Sequence, residues 1–261
     1  MRRSGSPRRG GASPAPGSPP APGSDWAYFF DIDGTLIDFA AKPAGVQLDA
    51  ELRQLIERLF HAAGSAVALI SGRSIRDVDR LFPDARLPVA GQHGTERRDG
   101  SGRMSRHAFP AEGLVVARAR LTEVAARHPG LWLEDKGLSL AMHYRGAPQL
   151  AGHAHRLMAE IQAEVGSGFC VQAGKRIVEL KPAGLDKGVA VHEFMQEEPF
   201  RGRVPAFVGD DVTDEYGFKM VNRLGGHSVK VGAGPTVARW RLRNVRAVRA
   251  WLARGVGEIR P

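Results

Sequence analysis

Trp26-Ala-Tyr-Phe-Phe-Asp-Ile-Asp-Gly-Thr-Leu36 joins an aromatic run to a polar turn. An unbroken apolar run of this length suits a strand covered on both faces, as in a parallel sheet, with its polar residues at the C-terminal tip. Two carboxylates spaced i and i+2, Asp31 and Asp33, can converge once the chain leaves the pleat. Gly34 permits a tight turn whose N–H groups face an anion. A carboxylate so placed can attack phosphorus while a second handles the proton of the leaving group.

Working outward, Asp49 to His61 carries Leu52, Leu55, Ile56 and Leu59 at helical spacing, which predicts an amphipathic helix stopped by Gly64. Ser65 to Ile70 reads as a second buried strand. It ends at Ser71-Gly-Arg73 and a further helix from Ser74. Strand, helix, strand, helix predicts a doubly wound parallel sheet, whose ligands gather at the C-terminal strand ends. Leu87 to Ala90 is a third strand leading into Gly91-Gln-His-Gly94. The rhythm then changes to helix (Glu112 to Arg127), hairpin (Leu131 to Glu134, Leu138 to Tyr144), helix (Pro148 to Val165) and hairpin (Phe169 to Ala173, Ile177 to Leu180). A repeated αββ unit closes into one antiparallel sheet with two helices on one face. The doubly wound pattern resumes with a helix from Asp186, a strand Ala206 to Val208 and a short strand Val229 to Val231. Asn244 is expected to cap a last helix. The expected fold class is therefore α/β, a doubly wound core with an inserted α+β cap. Residues 25–96 and 183–261 form the core, 97–182 the cap, and 1–24 a disordered tail.

The second acidic cluster, Gly209-Asp-Asp-Val-Thr-Asp-Glu215, again follows an apolar strand. Four acids in six positions repel one another unless a cation sits among them. Carboxylate oxygens without neighbouring His or Cys point to Mg2+. Ser71, before a helix N-terminus, can donate to a phosphoryl oxygen, and Lys187 can supply a fixed positive charge where negative charge develops.

The chain has 261 residues with 37 Lys and Arg against 28 Asp and Glu, a net charge of +9. Four of those nine charges are arginines among residues 1–24, a segment of six Pro, five Gly and five Ser with almost nothing to bury. The basic balance therefore predicts no nucleic-acid partner. Arg239, Arg241 and Arg243 alternate with Ala238, Trp240 and Leu242, as on an edge strand with one wet face. No apolar run approaches the length of a membrane span, and no secretory h-region is present, so a cytoplasmic location without membrane partner is expected. A lone cysteine, Cys170, excludes a disulfide framework and reads as a small buried apolar group. His153 and His155 lack a third ligand and are expected to face solvent.

Asp31-Ile-Asp-Gly-Thr-Leu36, Ser71-Gly-Arg73, Lys187 and the 209–215 cluster together resemble the four motifs of the haloacid dehalogenase (HAD) superfamily of phosphatases, and the αββ-αββ insertion resembles its cap. Gly91-Gln-His-Gly94, Glu134-Asp-Lys136, His143-Tyr-Arg145 and Gly174-Lys175-x-x-x-Glu179-x-Lys181-Pro182 narrow the resemblance to trehalose-6-phosphate phosphatases, over residues 25 to 253. Lys181 departs from it, since arginine is expected more often there. The resemblance implies that Asp31 is the nucleophile of an aspartyl-phosphate and Asp33 the acid and then the base. It implies that Asp31, the carbonyl of Asp33 and Asp210 hold Mg2+, with Asp211 and Asp214 further out, and that Ser71, Gly72 and Lys187 grip the phosphoryl group. The sugar would be read by Arg73, Gln92, His93, Gly94, Glu134, Lys136, His143, Lys175 and Glu179, the small-molecule sugar phosphate being the expected partner of a monomer. Rival readings are a phosphatase of another sugar phosphate, such as a sucrose or mannosyl-glycerate ester, and a non-catalytic regulatory module.

Overall fold

A computed structural model describes residues 17–38, 48–83, 87–174 and 176–258. In chain order it contains β1 (Trp26–Phe30), α1 (Ala50–Ala62), β2 (Val67–Ile70), α2 (Ile75–Leu81), β3 (Val89–Gly91), β4 (Glu96–Arg98) and β5 (Met104–Arg106). There follow α3 (Glu112–Arg127), β6 (Trp132–Asp135), β7 (Leu140–His143), α4 (Ala151–Val165), β8 (Phe169–Gly174) and β9 (Ile177–Pro182). The chain closes with α5 (Lys187–Phe194), β10 (Val204–Gly209), α6 (Asp214–Arg223), β11 (His227–Val231), β12 (Trp240–Leu242) and α7 (Val245–Glu258).

β1 lies inside an eight-stranded sheet of order β12-β11-β10-β1-β2-β3-β4-β5, parallel from β12 through β3. Its alternation explains the two-sided burial foreseen from the aromatic run. Trp26, Tyr28 and Phe30 join Leu52, Leu55, Ile56 and Leu59 of α1, Val78 of α2 and Val248, Trp251 and Leu252 of α7. Ala27 and Phe29 face the other way, onto Ala190, Val191 and Phe194 of α5 and Phe218 and Val221 of α6. Burying each large side chain contributes roughly 1.5–3 kcal/mol, so β1 anchors both layers at once. Asp49 caps α1 by accepting from the Leu52 N–H at 2.7 Å, and the Asn244 side chain accepts from the Ala247 N–H at 3.0 Å in the first turn of α7.

The inserted unit has its own core. β6, β7, β9 and β8 make an antiparallel sheet, whose Leu140, Met142, Val178, Leu180 and Phe169 pack against Leu114, Ala117 and Leu121 of α3 and Leu157, Met158 and Ile161 of α4.

Three expectations need correcting. The cap does not begin at residue 97: β4 and β5 pair antiparallel onto β3 and extend the large sheet, so the inserted layers start at α3. This hairpin is short and rich in arginine, and carries no apolar periodicity by which to assign it. The N-terminal segment is not wholly a free tail. Gly17 bridges to Trp240, the Pro20 carbonyl accepts from Trp251 Nε1 at 2.8 Å, and Pro22 lies against Gly255. Residues 1–16 lie outside the described residues. His153 and His155 are half-buried, with His153 beside the His128 ring (centroids 4.9 Å apart) and His155 3.3 Å from the Tyr144 hydroxyl. Cys170 is half-buried on β8. Among the described residues no helix is long and apolar enough to cross a membrane.

Candidate active site

The C-terminal tips of β1 and β10 are adjacent, because the two strands pair in register up to Phe30 and Val208. Asp31 and the loop after Gly209 therefore meet although 179 positions separate Asp31 from Asp210. One carboxylate oxygen from each of Asp31, Asp210 and Asp214 lies within 4.8 Å of the others. Lys187, the first residue of α5, reaches between two of them: its Nζ donates to Asp31 Oδ1 at 2.8 Å and to Asp214 Oδ1 at 2.6 Å. Asp186 orients that lysine by capping α5, accepting from the N–H groups of Gly188 and Val189.

Asp214 is fully buried and fixes the acidic loop. Its Oδ2 accepts from the backbone N–H groups of Asp210 and Asp211, each at 2.8 Å. A side chain at Gly209 would put its Cβ 2.6 Å from that same oxygen. Gly209→Ala is therefore expected to displace Asp214, costing about 1–3 kcal/mol of stability, to be checked by thermal melting. Lys230, paired with Gly209 in the β10–β11 register, donates to the Asp210 carbonyl. Thr35 Oγ1 is 3.3 Å from Asp31 Oδ2.

Burial is the main force on these groups. It pushes Asp31 well above the ordinary carboxylate range, with Asp214 and Asp210 adding repulsion and Lys187 opposing. Asp210 is raised to about 7 by burial first and then by Asp214 and Asp211. Burial alone would lower Lys187, but Asp214 and Asp31 outweigh it and hold the ammonium firmly charged. Asp210 Oδ1 is buried with no hydrogen-bond partner. An unpartnered oxygen among three converging carboxylates fits a hard divalent cation.

Of the residues expected around the metal, the carboxylates of Asp31, Asp210 and Asp214 converge. The Asp33 carboxylate is turned to Arg73, which donates Nε to Oδ2 and Nη2 to Oδ1, both at 2.6 Å. Asp211 contributes its N–H to Asp214 and lies outside the carboxylate cluster. Asp214, expected further out than Asp210, sits inside it. Arg73, expected among the sugar contacts, is thereby engaged with Asp33. Ser71 is buried at the tip of β2, its Oγ accepting from the Arg73 N–H at 3.1 Å. Gly72 leaves no room for a side chain, since a Cβ would lie 2.9 Å from the His93 ring.

The cap meets this site through Glu179. Its carboxylate receives Ser139 Oγ at 2.6 Å and Lys136 Nζ at 3.2 Å, and stands 3.4 Å from His93 Nε2 of the core. Burial would raise Glu179, but Lys136 and His93, with the Ser139 hydrogen bond, hold it well below the usual carboxylate range. Gln92 Oε1 accepts from the Leu138 N–H at 3.1 Å. Gln92 and His93 both adopt positive φ, 47° and 58°, a conformation uncommon for residues with a side chain; Gly94 follows at 99°. Glu134 pairs with His143 Nε2 at 2.8 Å. Lys181 is buried and donates to the Leu185 carbonyl at 2.6 Å. Lys175 lies outside the described residues. Thr35, Ser139 and Lys230 were not foreseen. A lysine between Val229 and Val231 in an apolar strand is a signal for Lys230, and Thr35 stands in the motif itself, whereas nothing local marks Ser139.

The family model for trehalose-phosphatase matches residues 29–246. The trehalose-6-phosphate phosphatase of Escherichia coli is 45% identical over 229 residues, covering 87% of this chain and 85% of that one. The chain belongs to the trehalose-phosphatase family. A probable trehalose-phosphate phosphatase of Sinorhizobium fredii is 42% identical, covering 80% of this chain and 78% of its own. The fold agrees with the C-terminal domain of the Candida albicans trehalose-6-phosphate phosphatase at a TM-score of 0.81, over 89% of this chain and 93% of that one, at 24% identity. A trehalose-6-phosphate phosphatase related protein gives 0.73 at 26% identity, over 87% and 95%. A phosphatase of the haloalkanoate (HAD) superfamily from Bacteroides thetaiotaomicron shares the fold at 0.59, with 17% identity over 91% of this chain and 97% of that one. As a member of the trehalose-phosphatase family, the chain is a phosphoric monoester hydrolase with a HAD fold.

Proposed function

We propose that this chain hydrolyses trehalose 6-phosphate to trehalose and phosphate through an aspartyl-phosphate on Asp31, with Mg2+ at Asp31, Asp210 and Asp214. The observation that carries the reading is Lys187 Nζ at 2.8 Å from a buried Asp31 that faces Asp210 and Asp214. In the first step an Asp31 oxygen attacks phosphorus and the bond from phosphorus to the sugar oxygen breaks. Asp33 donates a proton to that oxygen. In the second step Asp33 takes a proton from water, whose oxygen attacks phosphorus and displaces the Asp31 carboxylate. Lys187 and Ser71 would bind the phosphoryl oxygens, and a cation held by Asp31, Asp210 and Asp214 would supply charge neutralisation for them. Asp33 has both oxygens engaged by Arg73 in the structure, so this scheme requires the pair to open when substrate binds. Above the site, Glu179, Lys136 and Ser139 of the cap form a fixed polar cluster suited to sugar hydroxyls, and closure of the cap would exclude water from the cleft.

The direct test is phosphate release from trehalose 6-phosphate with and without Mg2+, beside sucrose 6-phosphate and glucose 6-phosphate. Strong preference for trehalose 6-phosphate, lost with chelator, is expected. Equal turnover of all three would refute the disaccharide assignment.

The same cluster predicts how pH and cation interact. Because Asp31 and Asp210 are raised in the folded chain, the native state holds more protons than the unfolded one between about pH 4 and the Asp210 value of about 7. The unfolded state binds fewer protons there, so this site's contribution to stability falls as pH rises through that window. A divalent cation must displace those protons. The gain in melting temperature on adding Mg2+ is therefore expected to be larger above neutrality than at acidic pH, and melts at both extremes check it.

A further inference from the structure

The chain has four tryptophans. Trp26 and Trp251 are buried and Trp240 half-buried against the core. Trp132, on the cap strand β6, is 52% exposed. Its position is specific. β6 pairs with β7 so that Trp132 stands opposite His143 and Glu134 opposite Ala141, and β9 continues the rows with Ile177 opposite His143 and Glu179 opposite Ala141. By strand alternation Trp132, Glu134, Ala141, His143, Ile177 and Glu179 share one face of the cap sheet. The opposite face carries Met142, Leu140, Val178 and Leu180, packed under the two cap helices. The face with Trp132 is therefore the face whose Glu179 touches core His93.

Order along the strands fixes the direction. The turn after β6 is the end nearest the core, since Leu138 bonds Gln92 and Lys136 bonds Glu179. Trp132 lies two residues before Glu134, about 7 Å farther from the core, the length scale of one sugar ring. The indole is also held in place. It leans on the His143 ring, with centroids 4.5 Å apart and 38° between planes, and Glu134 fixes that imidazole at 2.8 Å. One face of the indole is supported and much of the rest is open to solvent, on a face that also carries Glu134, His143 and Glu179.

A pyranose ring offers hydroxyls at its rim and C–H groups on its faces. The rim suits fixed polar groups, and the faces suit an aromatic plane, whose negative face attracts weakly positive hydrogens. We infer that Trp132 is a specificity-determining residue that stacks on the sugar ring not carrying the phosphate, while Glu179 and Lys136 address the ring nearer the core. The inference rests on the disaccharide reading given above, and goes beyond it by naming the contact that distinguishes a second ring from none.

The test compares Trp132→Ala, Trp132→Leu and Trp132→Phe with the unsubstituted enzyme. Five quantities are read: KM and kcat for trehalose 6-phosphate, inhibition by trehalose, inhibition by inorganic phosphate, and melting temperature. For the Ala and Leu variants the KM and the trehalose inhibition constant are expected to rise about tenfold, with kcat changed less than threefold. Inhibition by phosphate and the melting temperature should stay unchanged, because phosphate occupies only the core end. Phe, which keeps an aromatic plane, should retain most of the affinity; Leu, which keeps apolar bulk without one, should not. An unchanged KM in Trp132→Ala, or phosphate inhibition weakened as much as trehalose inhibition, would overturn the inference while leaving the substrate reading intact. Failure of the unsubstituted enzyme to hydrolyse trehalose 6-phosphate would overturn both.

Discussion

Asp31→Asn is expected to abolish phosphate release, by about 10⁴-fold or more, as when an enzyme loses its nucleophile, and to leave the fold intact. The amide is nearly the same shape as the carboxylate it replaces, and Lys187 keeps Asp214 as its partner at 2.6 Å. Removing one of three converging acids also removes the repulsion between Asp31 and its neighbours Asp214 and Asp210. The melting temperature measured without divalent cation should therefore be unchanged or higher. Stoichiometric labelling by a phosphoryl donor, trapped on rapid acid quench, should be present in the unsubstituted enzyme and absent from the variant. Turnover retained within tenfold would contradict the assignment of Asp31.

Lys187→Met should damage both stability and activity. Its ammonium is buried and donates to two buried carboxylates. Breaking a buried pair by deleting one partner costs about 3–5 kcal/mol because the remaining charge is left uncompensated, a drop in melting temperature on the order of 10 °C for a chain of this size. Loss of the fixed charge beside the phosphoryl site should reduce kcat by roughly 10²–10³-fold. The two effects can be separated. Adding Asp31→Asn to Lys187→Met removes one stranded carboxylate, so the double variant should melt higher than Lys187→Met alone while remaining inactive. The loss should also be largest at neutral pH and shrink in acid, where the stranded carboxylates take up protons. A melting temperature within 2 °C of the parent, about 1 kcal/mol at most, would show that the lysine is not the cluster's counter-charge.

The core was legible because its signals are local and strong. Five consecutive apolar residues before Asp31 and three before Gly209 specify buried strands, and strand tips in a doubly wound sheet are where ligands collect. The two acidic clusters could thus be brought together without knowing a single contact. What could not be read depends on pairings across distance. Asp33 and Arg73 are 40 positions apart, and nothing in either neighbourhood says that the guanidinium takes both carboxylate oxygens. Glu179 looks like surface charge on a hairpin, yet Ser139 and Lys136 from the facing hairpin and His93 from the core bury it. The β4–β5 hairpin reads as the start of the insertion because Glu96 to Arg98 and Met104 to Arg106 lack the alternation that would tie them to the large sheet; β3 recruits them through backbone pairing. Trp132 carries no local signal of its own: only the register of β6 against β7 shows which face of the cap sheet it occupies.

The clamp of Arg73 on Asp33 bears on how such an enzyme ignores the many other phosphate esters in a cell. With both oxygens of Asp33 accepting from one guanidinium, neither is free to deliver a proton. On the proposed mechanism, a small ester that reached Asp31 without drawing Arg73 aside would meet a nucleophile whose partner is unready, and its leaving group would lack the proton it needs to depart. Selection would then be exercised at proton delivery, after the cleft has already been entered, and the wrong compounds would be released unchanged.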